Sequence, residues 1–147
     1  MPVRWHEPID ARRLPLAGLL ATVVALGLNI GIREAGRRWL SVPADEPLLS
    51  LFLIAAVTVG AVVVATLFMG VLAHTQARPF TVFRAFAGLV VLASCAGPLI
   101  ARTGWVTALG HTKTPTMAAM LLMHLITAAV IVLFLTTLPR AYDRRRF

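Results

Sequence analysis

Four polar residues stand out in this chain because each is set inside a long apolar run: Asn29, Ser94, His124 and Thr127. An imidazole can relay a proton, bind a metal or contact a polar head group, and a polar residue at membrane depth marks either a pathway or a helix contact. His124 is the one imidazole within such a run, and Thr127 follows three residues later on the same helical face. A metal centre would need further His, Cys or carboxylate ligands at matching depth. Only Cys95 is at hand, so no metal is expected. Met117, Met120 and Met123 sit at a spacing more typical of packing than of soft-metal binding.

No catalytic set can be assembled around His124. Glu7, Asp10, Glu34, Asp45, Glu46 and Asp143 all lie outside the apolar runs, so neither a Ser/His/Asp triad nor an intramembrane acid for proton antiport is available. A single cysteine rules out a Cys-x-x-Cys pair and an intrachain disulfide. No catalytic residue, cofactor or enzymatic activity is therefore expected.

A structural use for the polar residues follows from Pro98. Proline has no N–H, so the carbonyl of Ser94 loses its helical partner within the apolar run. Ser94 and His124 both lie about seven residues, or roughly 10 Å, inside their runs. His124 is then the expected donor to that carbonyl or to the Ser94 hydroxyl, and Gly97 and Pro98 are expected to break the helix. On the first run, Gly18, Thr22, Ala25 and Asn29 share a face suited to close helix packing, and Gly27 and Gly31 add a G-x-x-x-G pair. The alternative is a polar path near Asn29, Ser94 and His124 in a small transporter or channel.

The elements that hold these residues are read from four apolar blocks, at 14–32, 48–73, 85–101 and 117–138. Each can cross a hydrocarbon core of about 30 Å, and none contains Asp, Glu, Lys or Arg. With a mean hydropathy of +0.83 and 14% charged residues, the chain predicts an all-α, integral membrane four-helix bundle forming a single domain over 1–147.

The net charge of +8 does not point to nucleic acid, because the thirteen arginines and one lysine cluster at the ends of the apolar blocks. Arg4, Arg12, Arg13, Arg78, Arg84, Arg140, Arg144, Arg145 and Arg146 fall on one side. Arg33, Arg37, Arg38, Arg102 and Lys113 fall on the other, which predicts both termini in the cytoplasm. Arg144, Arg145 and Arg146 are candidates for contact with lipid head groups. Asp45, Glu46 and Pro47 are expected to open the second helix, and Thr114 and Pro115 to form the N-cap and first turn of the fourth.

Ala96-Gly97-Pro98-Leu99, Thr112-Lys113-Thr114 and Leu122-Met123-His124-Leu125-Ile126-Thr127-Ala128-Ala129 resemble a family of uncharacterised four-span membrane proteins from actinobacteria, a domain of unknown function. The resemblance covers most of the chain and implies four spans in the cell membrane. It implies no activity, ligand or catalytic residue. The expected function is that of a non-enzymatic accessory or scaffolding subunit, with the lipid bilayer, a second copy or another membrane protein as partner.

Overall fold

The computed structural model describes residues 7, 9–43, 45–103 and 113–140. It is all-helical, with four long apolar helices: α1 (Leu14–Trp39), α2 (Leu51–Thr75), α3 (Pro79–Thr103) and α4 (Thr114–Thr137). At 1.5 Å per residue α1 is about 39 Å long, so it exceeds the hydrocarbon thickness and carries Arg33, Glu34, Arg37 and Arg38 on its last turns. Large apolar side chains such as Leu19, Val23, Phe52, Leu67, Leu92 and Leu133 cover the outer faces. A soluble monomer rarely shows so much apolar surface, whereas a bilayer solvates it. This is the architecture of a multi-pass membrane protein.

Local chemistry sets the helix ends. Short 3₁₀ turns precede α1 at Ala11–Arg13 and α2 at Pro47–Leu49. The Asp10 carboxylate caps the first by accepting from the Arg12 N–H at 3.1 Å. Asp45, Glu46 and Pro47 do not open α2 directly. Ser50 is extended at ψ 143°, which ends the 3₁₀ turn, and its hydroxyl caps α2 by accepting from the Leu53 N–H at 3.3 Å. Glu46 instead reaches the start of α4, accepting from the buried Thr116 hydroxyl at 3.3 Å. Lys113, not Thr114, is the N-cap residue of α4, and no side chain caps that end. Thr114 is already helical, with Pro115 in the first turn where its missing N–H costs nothing.

The cap of α3 is supplied from far away in sequence. One Glu7 carboxylate oxygen accepts from the N–H groups of Phe80 at 2.7 Å and Thr81 at 3.3 Å, and the other accepts from the Thr81 hydroxyl at 2.8 Å. An anion at exposed N–H groups of a helix start is favoured by the helix dipole. The same strap donates from Asp10 N–H to the Pro139 carbonyl at 2.7 Å and pairs Ile9 with Arg140 in an antiparallel bridge. Arg140 in turn lies 5.4 Å from the Phe80 ring centroid. Glu7, Ile9 and Asp10, with Pro139, Arg140 and the α2–α3 turn, therefore sit at one end of the bundle, here the terminal end. The α1–α2 connection, the last turn of α3 and the first turn of α4 lie at the other, the loop end.

Helix α1 packs closely on α4 and α2, and α3 leans on α4, while α2 and α3 meet more sparsely. Small residues permit the tight contact: Ala17, Gly18, Ala21 and Ala25 are all buried on α1. A Cβ at Gly18 would sit 2.7 Å from Thr66 Oγ1, so α2 leaves no room there for a methyl group. Gly27 and Gly31 have open space around them and take no part in the bundle. Two apolar cores result. Near the terminal end lie residues such as Leu14, Ala21, Val62, Met69, Phe83, Val130 and Leu135, and near the loop end Val42, Leu49, Ile54, Ala119 and Met123.

Candidate intramembrane polar site and cleft

Between the two cores, at one level across three helices, lies a buried polar cluster. Asn29 of α1 is 2% exposed, and its Nδ2 donates to Thr58 Oγ1 of α2 and to Thr127 Oγ1 of α4, each at 2.9 Å. The level follows from the sequence of each helix. Along α1 the order is Ala25, Asn29, Ile32; along α2 it is Ile54, Thr58, Val62; along α4 it is Met123, Thr127, Val130. In each case one polar residue separates apolar residues of the two cores. Intramembrane hydrogen bonds of this kind contribute about 0.6 kcal/mol each on average and up to about 1.7.

The cluster is incompletely satisfied. Asn29 Oδ1 is the one buried side-chain oxygen or nitrogen among the described residues that lacks a hydrogen-bond partner. An unpaired buried carbonyl oxygen of this kind costs about 1–3 kcal/mol.

Asn29, Thr58 and Thr127 also border a cleft of about 760 Å³, which α2 and α3 leave between them and which α4 closes from behind. Its walls are nearly all apolar, including Leu53, Val57 and Val64 of α2, Val90 and Val91 of α3, and Met120 and Met123 of α4. Toward the terminal end it is floored by aromatic rings, with Phe68 at 6.3 Å from Phe83 and 4.5 Å from Phe86, centroid to centroid. Among the described residues, no Asp, Glu, Lys or Arg lines it. Bundles pack at a density near that of organic crystals, with few voids larger than a water molecule, so an opening of this size stands apart from the two packed cores.

Ser94 and His124 line the same cleft, but they do not bond to each other as the sequence suggested. The Ser94 hydroxyl donates to the Val91 carbonyl at 2.9 Å. His124 Nδ1 lies 2.7 Å from the Met120 carbonyl, which can only accept, so the ring carries a proton on Nδ1. Each side chain thus satisfies itself on its own helix, where a carbonyl three or four residues back is always within reach. The helix break is also corrected. Helix α3 runs on through exposed Gly97 and buried Pro98, because surrounding lipid offers the backbone no alternative to its helical bonds.

Thr58 was missed by sequence reasoning, although it is one of the few polar residues of its block, with Ser50 and Thr66, and lies nearly three turns into it, which was the available signal. Arg144, Arg145 and Arg146 fall outside the described residues. Comparison with known proteins returned no match to a family model, to a curated protein or to a solved structure.

Proposed function

We propose that this chain is a non-enzymatic accessory protein of the cell membrane that retains one lipophilic guest in the cleft between α2 and α3. The observation that carries this reading is the cleft itself: about 760 Å³, with walls from α2, α3 and α4, Asn29 of α1 at its border, and no charged residue among the described residues of the lining. Atoms that fill such a space restore the dispersion contacts its walls otherwise forfeit. Water is a poor occupant of apolar walls, so the filling molecule comes from the bilayer.

A transport path is less well supported. Its three residues, Asn29, Ser94 and His124, are each engaged in a hydrogen bond, and the Phe68, Phe83 and Phe86 rings stand between them and the terminal end. Membership of the four-span family belongs to the same proposal and adds no activity to it.

Extraction of the full chain into native-lipid particles, followed by mass spectrometry, tests the function. One lipophilic molecule held per chain is the expected result. A bare chain, or a second protein bound stoichiometrically with no lipophile, would replace it with a scaffolding role. The orientation is proposed with both termini in the cytoplasm, on the nine-to-five distribution of basic residues. A reporter fused after Phe147 is expected to read cytoplasmic, and an external reading would invert the protein.

A further inference from the structure

We infer that the guest is a membrane lipid taken from the leaflet at the loop end, one hydrocarbon chain of which lies along the cleft with its methyl end on the Phe68, Phe83 and Phe86 floor. This identity rests on the proposed function and follows from the dimensions of the cleft and from which of its ends is shut.

On α2 the lining runs from Leu53 to Phe68, and on α3 from Phe83 to Pro98. At 1.5 Å per residue both walls are about 22 Å long. Spread over that length, a volume of about 760 Å³ gives a mean cross-section of about 35 Å². A helix with its side chains is about 10–12 Å across, or about 80–110 Å² in section, so a helix of a second copy does not fit. A hydrocarbon chain does. Carbon atoms in contact stand about 4 Å apart, so a zigzag of methylenes fills about 20 Å² of section. The surplus leaves room for bends and for part of the lipid's second chain.

The two ends of the cleft differ. At the terminal end α2 and α3 are joined through residues 76–78, and Phe68 meets Phe83 and Phe86 beside that turn, so the cleft is shut there. At the loop end the lining reaches Leu48 and Leu49, in the 3₁₀ turn that precedes α2. Glu46 and Ser50 flank this turn, and Arg33 Nε donates to the Leu49 carbonyl at 2.7 Å. The rim is therefore polar. A head group can stay hydrated there while its chain runs down between walls such as Val57, Val64, Val90 and Val91. The reverse orientation would bury the head group against three phenylalanine rings.

Depth sets the length of chain. An extended chain advances about 3.6 Å per three bonds, or about 1.2 Å per bond, so about eighteen carbons reach from rim to floor. Two glycines allow that depth to be changed. Gly60 of α2 and Gly97 of α3 line the cleft, and nothing lies within 4 Å of a Cβ at either. A side chain at Gly60 enters about half-way down, and one at Gly97 enters beside the rim.

The test strips the full chain of lipid in detergent micelles and adds phosphatidylcholines with two saturated chains of about 10, 14, 18 or 22 carbons, lengths that bracket the depth. Native mass spectrometry reads the lipid retained per protein chain. Retention is expected to rise about tenfold up to about eighteen carbons and then to level off, because further methylenes stand outside the rim. In Gly60→Phe it should no longer rise beyond about ten carbons, and Gly97→Phe should lower it at every length. Gly27→Phe, with open space at its Cβ and no place in the cleft lining, is the control and should match the unaltered chain. Retention that is equal at all lengths, or still rising at the longest, or unchanged in Gly60→Phe, overturns the chain assignment while leaving a guest in place. So does recovery of a sterol-like or polyprenyl compound in place of a two-chain lipid from native-lipid particles. Retention of neither a phospholipid nor a native lipophile would overturn the proposed function itself.

Discussion

Gly18→Leu is expected to be the most damaging single substitution in the bundle, lowering stability by about 3 kcal/mol. Even a Cβ at this position would lie 2.7 Å from Thr66 Oγ1 and 3.3 Å from its Cγ2. Thr66 is β-branched, and its hydroxyl is held by the Val62 carbonyl at 2.8 Å, so it cannot swing aside without breaking a bond in a medium that offers no replacement. Overpacking of a filled interior typically costs about 1–3 kcal/mol, and a leucine brings three carbons beyond the one already in collision. Gly27→Leu is the matched control. Nothing lies within 4 Å of a Cβ there, so the added side chain enters lipid and stability should change by less than about 0.5 kcal/mol. Unfolding titrations in mixed micelles would compare the two. Equal losses would mean that α1 and α2 do not approach as closely as described.

Asn29→Ala is expected to cost about 2 kcal/mol. Two hydrogen bonds are lost at about 0.6 kcal/mol each, and the remainder comes from the space left between two packed cores, partly offset by removal of the unpaired Oδ1. The signature of the cluster is coupling. Asn29→Ala and Thr58→Val should cost less together than the sum of their separate effects, and the same holds for Asn29→Ala with Thr127→Val. By contrast, His124→Leu and Pro98→Ala should add, because the His124 ring is bonded within α4 and not to the α3 backbone. Coupling in the second pair with none in the first would restore the arrangement suggested by the sequence.

That reversal shows where the sequence was legible. Four charge-free blocks announced four helices, since hydrocarbon tolerates few other sequences, and the small-residue face from Gly18 to Asn29 correctly marked the inward side of α1. Thr22 was assigned to that face but is only half-buried, its hydroxyl turned to the Gly18 carbonyl. Asn29 and Thr127 were named together and do touch. Depth counting failed for His124 and Ser94 because two residues at equal depth need not face each other, and each had a nearer carbonyl on its own helix. Thr58 escaped notice because a threonine costs little inside a membrane helix and so leaves a weak signal. Glu7 escaped because its partners, Phe80 and Thr81, are more than seventy residues away, and nothing local marks a cap supplied from a distance. The cleft itself was not legible at all. It arises from how far apart α2 and α3 stand, which is a property of packing between helices, while apolar blocks report only on the solvent around them.

Determination of the structure from crystals grown in a lipidic mesophase, with protein extracted in its native lipid, tests the central claim most directly. Elongated density between α2 and α3, resting on the Phe68, Phe83 and Phe86 floor, is the predicted result. A cleft closed by α2 packing onto α3, or one filled by a helix of a neighbouring chain, would contradict it.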